Sequence, residues 1–112
     1  MNTRYTVKDK VVIVYLKGRL DMLCSAGVEH DITQIIERER SSDFLFNMEE
    51  VEYINSIGLR VLFNSFLKLK NQERRLAFCN FNSTVKKVFE AVGSSEMFNT
   101  FNSEKQGIKY LL

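Results

Sequence analysis

Tyr53-Ile54-Asn55-Ser56-Ile57-Gly58-Leu59 is the stretch on which the fold of this chain turns. An apolar run ends at Ile54, two small polar residues follow, and a long amphipathic segment opens at Ser56. A strand handing over to a helix has this pattern. It places a serine hydroxyl at a helix opening, where two roles stand open. The serine can be the N-cap, its oxygen accepting an amide N–H two or three residues on. It can also be a phosphorylatable switch, because a phosphate there meets unpaired N–H groups and the positive end of the helix dipole. Gly58 adds to the picture. Glycine in a first helical turn is poorer than alanine by ~1 kcal/mol, so its presence points to close approach by another backbone or a partner.

Upstream of this junction, Phe44-Leu45-Phe46 reads as a central strand, followed by polar Asn47, Glu49 and Glu50 and then by Val51, Tyr53 and Ile54. Val11 to Leu16 is a β-branched apolar run, too short for a helix, and reads as a buried strand. Tyr5 to Val7 is expected to pair with it as an antiparallel edge through a turn near Lys8-Asp9-Lys10, and Gly18-Arg19 ends the unit. From about Met22 to Arg40 the period becomes helical. Val28, Ile32, Ile35 and Ile36 share one face, while Glu29, Asp31, Gln34 and Glu37 lie mainly on the others. Ser41-Ser42-Asp43 breaks that helix.

Downstream, a second helix is expected from Ser56 to about Asn71, with Leu59, Leu62, Phe63, Phe66 and Leu67 as its inward stripe. Leu76-Ala77-Phe78-Cys79 is a third central strand. Ser83 or Asn82 caps a third helix facing inward through Val85, Val88, Phe89 and Val92 and stopped by Gly93. Met97 to Phe101 is a further short strand. Ser103 to Gln106 is a capping box opening a terminal helix with Ile108, Leu111 and Leu112 inward.

Alternating strands and helices imply parallel neighbours joined by crossovers. The expected fold is therefore an α/β sandwich: a mostly parallel sheet of four to five strands, an antiparallel N-terminal edge and about four helices. The chain lacks proline, a glycine- or serine-rich linker and any repeat, so residues 1–112 are expected to form a single domain. In such sheets functional surfaces gather beyond the carboxyl ends of the strands. Arg19-Leu20-Asp21 and Asn55-Ser56 both belong there.

Bulk properties narrow the function. At 45% hydrophobic residues the chain can fill a core, and its net charge of +2 gives no electrostatic case for nucleic acid. No apolar run approaches the ~18 residues that span a bilayer, and the polar segment Met1 to Lys10 is no secretory signal. Cys24 and Cys79 lack metal spacing and suit a reducing cytoplasm. The single histidine, His30, belongs to a helix flank away from Ser56, so no hydrolase triad forms. No glycine-rich, lysine-containing phosphate loop is present. Phe63, Phe66, Phe78 and Phe89 are expected in the core, and Lys68, Lys70, Arg74 and Arg75 at a solvated helix end. No catalytic machinery and no cofactor is expected.

Three features carry a resemblance over nearly the whole chain: Gly18-Arg19-Leu20-Asp21 after the first central strand, Phe44-Leu45-Phe46-Asn47-Met48 running into Val51 to Leu59, and the tail, with Val85 to Gly93, a short Met97-Phe98 strand and the final helix. The chain resembles the STAS-domain proteins and, within them, the anti-sigma factor antagonists. In place of that family's usual Asp-Ser/Thr-small-Gly-aliphatic pattern, it has Asn55 before the serine and Ile57 after it. The resemblance implies a partner switch that regulates transcription. The unmodified protein binds an anti-sigma factor that is also a serine kinase, phosphorylation of Ser56 releases it, and a PP2C-type phosphatase resets it. Arg19, Asp21, Met48, Glu50, Asn55, Ile57, Gly58 and Arg60 are then expected to form the partner-binding rim. The alternatives are a STAS adaptor without phosphorylation in another signalling or transport assembly, and a small nucleotide-binding domain using the same helix N-terminus.

Overall fold

The computed structural model describes residues 2–93 and 97–112. In chain order the elements are β1 (Arg4–Lys8), β2 (Val11–Leu20), α1 (Ser25–Arg38), β3 (Asp43–Ile54), α2 (Ser56–Lys70), β4 (Leu76–Cys79), α3 (Ser83–Ala91), β5 (Asn99–Phe101) and α4 (Glu104–Leu111). The five strands form one sheet in the order β1-β2-β3-β4-β5. β1 runs antiparallel to β2, and the remaining pairs are parallel. The first hairpin turns at Asp9 and Lys10, both with positive φ, the geometry a tight hairpin connection requires.

Strand alternation divides the core in two. Val12, Val14 and Leu16 of β2, with Phe44, Phe46 and Met48 of β3 and Phe78 of β4, face α1, α2 and α3. Val11, Ile13, Leu45, Ala77 and Cys79 face the other way and meet Leu111 of α4. Gly107 lets α4 lie close to the sheet, since a Cβ there would come within 2.6 Å of Leu45 Cδ1.

The expected architecture is the observed one, with local differences. β2 continues past Leu16 to Leu20, and β3 is one strand of 12 residues rather than two apolar runs. Its polar middle stays in the ladder through register shifts between Tyr15 and Lys17 and between Gly18 and Arg19, where Gly18 has φ +79. Met48 is 0% exposed and in phase with Phe44 and Phe46, so it belongs to the core and not to a rim. α2 buries Gly58, Val61, Leu62, Ser65 and Leu69, a face rotated from the expected stripe, leaving Phe63 and Leu67 outward.

Two charged residues are buried against expectation. Asp31 accepts hydrogen bonds from the Asn2 amide, the Thr3 amide and the Thr3 hydroxyl. Arg74 reaches the carbonyls of Ile36, Glu39 and Ser42. The caps follow expectation at Asn82, which accepts from the Val85 amide, and at Ser103, which accepts from the Gln106 amide. The return arm of that box goes from the Asn102 amide to Gln106 Oε1, one residue earlier than a capping box has it. β5 begins at Asn99, not Met97, and Val92 and Leu112 face solvent rather than the core.

Candidate functional site

β2 and β3 end side by side, with Arg19 opposite Tyr53 and Leu20 opposite Ile54. The Asn55 amide donates to the Leu20 carbonyl at 3.3 Å and carries the pairing one residue beyond the strand. Asn55 is extended (φ −125, ψ −169), and its Oδ1 accepts from the amides of Ile57 at 3.0 Å and Gly58 at 3.2 Å. Asn55 is therefore the N-cap, and Ser56 is the first residue of the helix. This corrects the capping reading of Ser56. The serine is exposed, and its hydroxyl takes no part in closing the helix end.

Gly58 is buried under this turn. A Cβ there would lie 2.3 Å from the Leu20 carbonyl oxygen, 2.7 Å from Leu20 Cβ and 2.8 Å from Ile54 Cγ1. The glycine is thus explained by close packing of α2 on the β2–β3 junction, and it offers no surface to a partner.

The loop after β2 is fastened by Asp21. Its Oδ2 accepts from Arg19 Nε at 3.0 Å, and its Oδ1 accepts from the amides of Leu23 and Cys24 at 3.1 and 3.2 Å. The Arg19 hydrogen bond, followed by those amides, holds the Asp21 carboxyl below its ordinary range, with desolvation opposing. The Arg19 guanidinium also lies 4.3 Å from the centre of the Tyr53 ring.

Arg19, Asp21, Asn55, Ser56, Ile57 and Arg60 therefore share the end of the molecule where β2 and β3 stop and α2 starts. Met48 and Gly58 are inside. Glu50 is exposed but pairs in register with Lys17 and lines a separate cleft of about 580 Å³ with Arg4, Tyr15, Cys24 and Asp31.

A groove of about 350 Å³ runs beside Ser56, lined by Leu59, Arg60, Phe63, Val92, Met97 and Phe98. Met22 and Leu23, in the loop after β2, are also strongly exposed. Of the groove residues, Ser56 and Arg60 were expected at the site from the sequence, whereas Leu59, Phe63 and Val92 were expected to face the core. A usable signal existed: α2 carries apolar residues at 57, 59, 61, 62, 63, 66, 67 and 69, more than one helical face can bury.

Burial pushes the Cys79 thiol up to about 12, which keeps it protonated. Among the described residues no three His, Cys, Asp or Glu side chains gather to hold a metal ion. No helix among them is long and apolar enough to cross a membrane. The amides of Ile57 and Gly58 are already occupied by Asn55, so the start of α2 is not a vacant phosphate cradle for a nucleotide.

The family model of the STAS domain matches residues 2–107. Among curated relatives, the anti-sigma F factor antagonist of Paenibacillus polymyxa is 22% identical over 101 residues, covering 90% of this chain and 86% of the relative. The anti-sigma-B factor antagonist of Staphylococcus aureus is 23% identical over 99 residues, covering 88% and 91%. The anti-sigma factor antagonist SpoIIAA in its unphosphorylated form shares the fold at a TM-score of 0.78 and 21% identity, with 96% and 94% covered. The phosphorylated form of SpoIIAA from Bacillus does so at 0.71 and 20%, with 98% and 99% covered. With the match extending over all three crossover connections and the Ser56 helix opening, this chain belongs to the STAS domain family.

Proposed function

We propose that the protein is a cytoplasmic anti-sigma factor antagonist that works by partner switching. With Ser56 unmodified it binds an anti-sigma factor that is also a serine kinase. That kinase phosphorylates Ser56 and the complex separates, and a PP2C-type phosphatase restores the binding form. The observation that carries this reading is the freedom of Ser56: Asn55 caps α2 in its stead, leaving an exposed hydroxyl at the first helical position beside an apolar groove. The antagonist relatives and the existence of a phosphorylated form of the same fold support it.

The physics of the switch follows. Phosphate adds a charge of about −1.5 to −2 at neutral pH. The positive end of α2 tolerates an anion, so the fold need not change. A partner seated over Leu59, Phe63 and Val92 would have to desolvate that charge against an apolar surface, which is strongly unfavourable. The test is partner affinity and phosphate transfer for Ser56→Ala and Ser56→Asp. The alanine form should bind and escape phosphorylation, and the aspartate form should fold normally and bind more weakly. Equal, wild-type-like affinities for both would reject the switch.

A further inference from the structure

Resting on Ser56 as the phosphoacceptor, we propose that Arg60 is the counter-ion of the phosphorylated side chain, so that modification withdraws a cation from the docking rim as well as adding an anion. Residues four apart on a helix stand above one another on one face. Ser56 and Arg60 have that spacing, both are exposed, and both line the same groove. Arg60 is the one titratable side chain lining that groove among the described residues.

Three further observations direct the phosphate to Arg60. Asn55 Oδ1 already holds the amides of Ile57 and Gly58, so a phosphate on Ser56 can claim them only by breaking the cap. Asn55 is neutral, so no carboxylate at the cap competes for the guanidinium. Arg19, at the neighbouring strand end, is engaged by Asp21 and lies over the Tyr53 ring, whereas Arg60 takes part in no ion pair among the described residues. A guanidinium also suits the task, because its planar donors match phosphate oxygens two at a time. With Ser56 unmodified, the same guanidinium can meet an acidic group of the partner.

The test uses the full chain with phosphoserine placed at position 56 by genetic encoding, followed by phosphorus NMR through the second phosphate ionisation, near pH 6. The wild-type protein should ionise roughly 0.2–0.4 pH units lower than Arg60→Gln, as expected for a helical pair at this spacing. The difference should shrink in 1 M salt. The wild-type phosphoprotein gives a second reading that needs no variant: the Arg60 Nε–H resonance should move with the same midpoint. Superimposable titrations of the two proteins, or an Arg60 resonance indifferent to the phosphate, would overturn the pairing. Because the phosphate is installed during synthesis, a Ser56 that no kinase modifies in the cell would defeat the partner switch without touching this result.

Discussion

At the amino end of β3, Arg74 and Arg75 tie several elements together, while at its carboxyl end Arg60 stands in solvent beside uncovered apolar side chains. Arg74 donates to carbonyls at the end of α1 and just before β3. Arg75 grips Asp43 through its amide and guanidinium and reaches the Tyr110 and Leu111 carbonyls of α4. At the other end, Ile57, Phe63, Met22 and Leu23 remain exposed. An arginine whose donors satisfy buried carbonyls holds a fold, whereas one lining an open groove is available to something else. The first end secures the scaffold, and the second leaves apolar side chains uncovered, where the proposed partner would dock.

The sharpest way to break this contrast is to remove each cation. Arg74→Met should destabilise by about 2–4 kcal/mol, because buried carbonyls lose charged donors and none replaces them. Arg60→Met should cost no more than ~0.5 kcal/mol, as for an exposed position that takes part in no ion pair among the described residues. Urea midpoints of the two variants check the pair. Comparable losses would mean that the carboxyl end is as much scaffold as the amino end.

This contrast also explains what could be read from the sequence. The alternation of strands and helices was legible because the central strands β2, β3 and β4 contain short dense apolar runs and each helix has its own apolar period. The inward face of α2 was not, because residues packed on the sheet (Val61, Leu62, Leu69) and residues lining the open groove (Leu59, Phe63) are equally apolar. Sequence cannot separate a core from an open apolar groove made of the same residues. Met48 was legible in principle, since it alternates in phase with Phe44 and Phe46, but the polar residues around it disguised the strand. Arg74 was hidden by the turn before it: Glu73 takes φ +58 and its neighbour is drawn inward, so a residue that looks like part of a charged helix end is buried.

At the carboxyl end itself, α2 has an inside and an outside within one turn. Gly58→Ala should cost about 1–3 kcal/mol, because the added methyl meets the Leu20 carbonyl oxygen, which is backbone and cannot swing away. The ~1 kcal/mol by which alanine exceeds glycine in helix propensity offsets only part of this. Asn55→Ala should cost ~1 kcal/mol through loss of the cap, whereas Ser56→Ala should stay within ~0.5 kcal/mol because the serine is not the cap. Thermal or urea unfolding of the three variants should rank them in that order. A loss at Ser56 equal to that at Asn55 would return the capping role to the serine.

The smallest effects distinguish two carboxylates by salt. Burial alone would raise the Asp31 carboxyl, but the Thr3 hydroxyl with the Asn2 and Thr3 amides holds it below its ordinary value. At the rim, the Arg19 hydrogen bond and two amides hold Asp21 low. A carboxyl depressed in the folded state contributes stability that is fully present above the unfolded value, near ~3.9 for Asp. That contribution is lost as pH falls through the folded value. Both Asp31→Asn and Asp21→Asn should therefore flatten the fall in urea midpoint as pH drops from about 5 towards 3. The two should part when salt is raised. Asp31 is buried and its hydrogen-bond donors are neutral, so the flattening should persist. Asp21 owes its depression first to the Arg19 cation at a partly exposed rim, so in 1 M salt its wild-type and Asn profiles should draw closer, with the Leu23 and Cys24 amides keeping a residual difference. If Asp31 instead converges and Asp21 does not, the latch under the first strand is the solvent-exposed feature and the rim the sheltered one, which reverses the assignment of scaffold and open surface made for these two residues.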